Sequence, residues 1–76
     1  YIFLQQDKID DAVRMFQINV ELYPESWNAY DSLGEALLRA GDTNDAVTMY
    51  DKSLALNPEN TNGKEVLAQI QGAASM

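Results

Sequence analysis

Apolar residues recur at steps of three and four in four separate stretches. Ala12, Val13, Phe16, Val20 and Tyr23 make one stripe. Tyr30, Leu33, Leu37 and Ala40 make a second, with Gly34 and Ala36 beside it. Ala46, Val47, Tyr50, Ser53 and Leu54 make a third, and Val66, Leu67, Ile70 and Ala74 a fourth. This spacing puts each set on one face of an α-helix. No stretch alternates with period two over strand length, and no hairpin turn pair sits between β-branched runs. The pattern predicts an all-α chain with short connections and antiparallel neighbours.

The breaks between stripes carry turn and capping residues. Residues 1–5 read as the tail of a helix, Gln6-Asp7-Lys8 as a turn, and Asp7 as an N-cap with Asp10 in the first turn behind it. A helix then runs from Ile9 to about Leu22 and stops before Pro24, because proline disfavours helical geometry in the residue ahead of it. Ser26 caps a helix over about Trp27–Ala40, and Gly41 ends it. Asp42 starts the next, about Asn44–Leu56, with Asp45 in its first turn and Asp51 and Lys52 facing out. Asn60 or Thr61 starts a last helix to about Gly72, and residues 72–76 form a weak tail.

The breaks also have a period. Pro24-Glu25 and Pro58-Glu59 stand 34 residues apart. The same shift lays Leu4 on Leu38, Asp11-Ala12-Val13 on Asp45-Ala46-Val47, Met15 on Met49 and Phe16 on Tyr50. It lays Leu22 on Leu56, Asn28 on Asn62 and Leu33 on Leu67. Matches in one constant register at the small and apolar positions are the signature of a stacked repeat. Two unrelated amphipathic helices would not also align their prolines.

Within the 34-residue unit stand Tyr30, Leu33-Gly34, Leu37, Gly41-Asp42, Ala46, Tyr50, Ser53 and Pro58. This set resembles the tetratricopeptide repeat, whose pattern combines an aromatic, Leu-Gly, a large residue, a Gly-Asp turn, Ala, an aromatic, a small residue and Pro. Ala12, Phe16 and Pro24 represent a preceding copy, and Leu67-Ala68 a following one. Thr43 stands where the family usually has a large residue, and Asn19 where it prefers Ala. The resemblance implies one domain over residues 1–76, with a partial repeat at 1–24, a complete repeat at 25–58, and a capping helix and tail at 59–76. A second similarity is looser: residues 26–60 resemble the repeat tails of some bacterial serine hydrolases of β-lactamase-like or esterase-like type. It implies an accessory or oligomerisation segment whose catalytic domain lies upstream.

Composition removes function classes. Of the residues, 46% are hydrophobic and 22% charged, too apolar for disorder. The net charge of −7 repels phosphate backbones and anionic lipid surfaces, which argues against nucleic-acid or membrane binding. The absence of Cys and His removes thiolate ligands, the commonest general base and the commonest transition-metal ligand. Ser26, Ser32, Ser53 and Ser75 therefore have no partner for a Ser–His site. Asp7, Asp10 and Asp11, like Asp42 and Asp45, read as acids placed at helix starts rather than as a metal or acid–base site. Asp42-Thr43-Asn44 begins like a calcium loop but has no Gly at its sixth position and Ser53 at its twelfth. No catalytic residue, cofactor or metal is expected. The chain opens on Tyr1 and reads as a piece of a longer protein.

What remains is interaction. Repeats of this type bind extended peptides along the surface lined by each unit's first helix. Here that surface offers Asn28, Asp31, Glu35, Leu38 and Arg39, joined from the flanking units by Tyr1, Leu4, Gln5, Asn62, Glu65 and Gln69. Chaperone-binding members of the family clamp a carboxylate there with Lys, Arg and Asn. Asp31 and Glu35 stand at the centre instead, which favours a basic or neutral segment. Ile2, Phe3, Leu4, Phe16 and Val20 form an apolar end suited to an upstream domain or a second copy of the chain. The resemblance thus implies a non-enzymatic scaffold module whose partner is a protein, a peptide or itself.

Overall fold

The structure, a computed structural model, describes residues 2–74, with side chains described over 8–72. Four helices follow one another: α1 (Ile2–Leu22), α2 (Trp27–Arg39), α3 (Thr43–Leu56) and α4 (Thr61–Ala74). Each packs on the next, and the α2–α3 pair makes the most extensive contact. Among the described residues there is no strand. The all-α helical-repeat architecture expected from the spacing is what the chain adopts.

The α2–α3 pair is built as the repeat pattern requires. Ser26 is extended, and its side chain accepts from the Ala29 amide at 3.3 Å, which starts α2. Gly41 has φ +91°, a left-handed geometry that other residues resist, and it ends that helix. Leu33, Leu37 and Ala46 form the buried core, with Val13, Phe16, Val20, Leu38 and Met49 packed around it. Tyr30, Ala36, Tyr50 and Leu67 are buried beside them. Gly34 faces the Tyr50 ring directly: a Cβ there would lie 2.9 Å from ring carbon Cε2.

Polar residues lock the next junction. The Ser53 hydroxyl, fully buried, donates to the Trp27 carbonyl oxygen at 2.8 Å. It accepts in turn from Asn60 Nδ2 at 3.0 Å, and the same amide donates to Asp31 Oδ2 at 2.7 Å. Asn60 Oδ1 accepts from the Gly63 amide at 3.2 Å, which caps α4. Asn60 therefore joins α2, α3 and α4 through three hydrogen bonds. Every buried side-chain N or O atom among the described residues is paired.

Four expectations need correction. No turn forms at Gln6-Asp7-Lys8; α1 runs unbroken through them. By the 34-residue register Asp7 stands where the next unit has Gly41, and among the described residues none other than glycine takes positive φ. Without glycine the left-handed stop is costly, so the helix continues. Asp7 is thus inside a helix rather than its N-cap, and Asp10 and Asp11 stand in mid-helix rather than in a first turn. Asp42 does precede α3, but its side chain makes no capping hydrogen bond. Tyr23 is not part of the buried stripe: it lies beyond the end of α1 and is 62% exposed.

Candidate protein-binding groove

Two clefts open between α1 and α2. The larger, ≈ 320 Å³, is lined by Lys8, Ile9, Ala12 and Phe16 of α1 and by Ser32, Glu35, Ala36 and Arg39 of α2. The smaller, ≈ 240 Å³, is lined by Phe16, Asn19 and Tyr23 on one side and Ser26, Asn28, Ala29 and Ser32 on the other. Phe16 and Ser32 belong to both, so the clefts form one groove along the α1–α2 junction. Its floor at the Lys8 end is apolar (Ile9, Ala12, Phe16, Ala36), and its rim is polar. That is the composition of a surface that binds by burying apolar groups and orients through a few polar ones.

The groove draws on both sequence-derived sets. From the peptide-binding candidates it takes Asn28, Glu35 and Arg39; from the self-association candidates it takes Phe16. Asp31 is held away from it by Asn60 and, at 3.5 Å, by Asn62. Leu38 and Val20 are half-buried against the core. Glu65 and Gln69 are exposed on α4. Ile2, Phe3, Leu4 and Gln5 belong to α1, but their side chains lie outside the described residues, as does Tyr1 altogether. Lys8, Ile9, Ala12, Ser32 and Ala36 also line the groove, though none is among the binding candidates read from the sequence. Their signal was the register: Ala12 and Phe16 match Ala46 and Tyr50, which a first helix covers.

Electrostatics near the groove are milder than the net charge suggests. Arg39 Nη2 donates to Glu35 Oε1 at 3.0 Å, an exposed pair worth a few tenths of a kcal/mol. Tyr50 is the one group whose protonation is clearly perturbed among those described. Burial first, then the Asp31 and Glu35 carboxylates, push its phenol up to about 12, with Arg39 opposing. On the far side of α2, Lys52 Nζ sits 5.8 Å from the centre of the Tyr30 ring, and the Tyr30 hydroxyl donates to the Pro24 carbonyl oxygen at 2.9 Å.

Exposed apolar mass gathers at the same end of the stack. Met15, Ile18, Leu22 and Tyr23 are each more than half exposed, whereas Met49, the register match of Met15, is half-buried. Among the described residues no three His, Cys, Asp or Glu come together to hold a metal. No described helix is long and apolar enough to cross a membrane.

An all-α stack of paired helices, with a groove along one junction, defines a helical-repeat fold. The family follows from comparison. A family model described as tetratricopeptide repeat matches residues 1–61 and again residues 32–71, and the chain belongs to the tetratricopeptide repeat family. Repeats of this family typically bind proteins or peptides and are typically non-enzymatic. No curated protein matches the chain. The likeness of residues 26–60 to serine-hydrolase tails gains no support from these comparisons.

Proposed function

We propose that this chain is a non-catalytic protein–protein interaction module whose working surface is the groove between α1 and α2. The observation that carries this reading is the groove itself, which Phe16 lines in both clefts, with Glu35 and Arg39 at its apolar-floored end and Asn28 at the other. Protein-binding activity of the family supports it. The partner is a peptide, an adjacent domain of the same polypeptide or a second copy. The exposed apolar residues of α1 favour association at this end over the α4 end.

Panning a displayed-peptide library against the chain tests it, with a Ser32→Glu variant of unchanged helicity as counter-selection. Peptides that bind the chain and not the variant are expected. Enrichment no better than on bare support would overturn the reading.

A further inference from the structure

We propose that the α1–α2 groove receives a third helix. The occupant is an amphipathic α-helix antiparallel to α1, with Gly or Ala over Phe16 and an acidic carboxyl end beside Lys8 and Arg39. This rests on the interaction-module reading and adds the shape and polarity of the partner.

The repeat register is the first argument. Ala12, Phe16 and Asn19 correspond to Ala46, Tyr50 and Ser53 one unit later. In the later unit that face is sealed: Ala46 and Ser53 are 0% exposed and Tyr50 1%, with Gly34 of α2 against the Tyr50 ring. The earlier face instead lines an open groove. A surface that repeats the small residue and the aromatic, Ala12 and Phe16, and differs only in carrying Asn19 for Ser53, fits the same kind of helix, one with a small residue at the crossing and leucines beside it.

Length and charge agree. The groove runs from Lys8 to Tyr23, which along a helix is about 22 Å. A helix of α2 or α4 length, 13 or 14 residues, spans about 20 Å. In the later unit the end of α2 lies beside the start of α3. The matching place on α1 is Ile9, next to Lys8, so the occupant's carboxyl end falls at the basic end of the groove. Helix carboxyl ends carry partial negative charge, which Lys8 and Arg39 favour. In a chain of net charge −7, the charged residues lining both clefts are Lys8, Arg39 and Glu35, and Glu35 is bonded to Arg39.

A second copy is the poorer occupant. Its α4 matches α2 at Leu67 and Ala68 but carries Lys64 and Gln71 where α2 has Tyr30 and Leu37. Those positions supply the apolar contact, so α4 finishes its own end of the stack rather than entering another groove.

The test uses a stapled helical peptide of residues 26–40 bearing Arg39→Glu, titrated into the isotope-labelled chain and followed by NMR. Saturable shifts confined to the groove, at Ala12, Phe16, Ser32 and Ala36, are expected. A Gly34→Val version of the peptide should bind roughly tenfold more weakly, since the branch would meet Phe16. Lys8→Glu in the chain should weaken binding roughly two- to fivefold, an effect that salt reduces. No shift at millimolar peptide, or shifts centred on α4, would overturn the helix proposal. So would sedimentation showing the groove already filled by a second copy at the same concentration. Library peptides that bind the groove while the helical peptide does not would refute this inference and leave the interaction-module reading standing.

Discussion

Gly34 and Tyr50 meet backbone to ring: a Cβ on Gly34 would stand 2.9 Å from Tyr50 Cε2 and 3.0 Å from Cδ2. The ring is 1% exposed and walled in, so it cannot swing away. In an open helix Gly→Ala would gain about 1 kcal/mol of propensity. Here the clash wins. Gly34→Val should lose roughly 1–3 kcal/mol and Gly34→Ala less. Urea unfolding measures both. Pairing Gly34→Ala with Tyr50→Leu should cost less than the sum of the single changes, because the two positions share one contact.

Asn60 should be the most sensitive polar position. Asn60→Ala strips donors from Asp31 and Ser53 and the cap from Gly63, a loss of about 1–3 kcal/mol. Asn60→Asp sets a second carboxylate against Asp31 and should lose more at neutral pH. Equal stability of the two variants at neutral pH would contradict the hydrogen-bond assignment.

The two helix starts should respond unequally. Ser26→Ala removes a capping bond to the Ala29 amide and should cost about 1 kcal/mol. Asp42 makes no such bond, so Asp42→Ala should cost only a few tenths through the helix dipole. Gly41→Ala should lose about 1 kcal/mol by backbone strain alone, since φ is +91° and nothing lies within 4 Å of the added methyl. Thermal melts of the three variants give the ranking.

Alkaline unfolding should run through Tyr50. Its phenol holds its proton up to about 12 in the folded chain, against an ordinary value of 10.0. The folded state therefore binds the proton more tightly than the unfolded state. Stability from this group is whole below pH 10 and drains away as pH rises through 12, by about 3 kcal/mol. Tyr50→Phe should remove that drop, so the stability difference between parent and variant should change across pH 10–12. Denaturant midpoints by circular dichroism at stepped pH follow it.

Local chemistry was legible in the chain alone wherever one residue type does one job. Pro24 and Pro58 marked the period, Ser26 the start of α2, and Gly41 its end. The 34-residue register carried the fold class because stacked repeats bury the same positions in every unit. Tertiary structure decided the rest. It ran α1 straight through Gln6-Asp7-Lys8, where no glycine supplies a left-handed stop. It turned Asp31 from a groove acid into the partner of Asn60 and Asn62. It brought Phe16, Asn28, Glu35 and Arg39 to one groove and kept Leu38 and Val20 against the core. Periodicity assigns a residue to a face of its own helix; which neighbour that face meets depends on how the helices cross, and that is settled by packing between segments far apart in sequence.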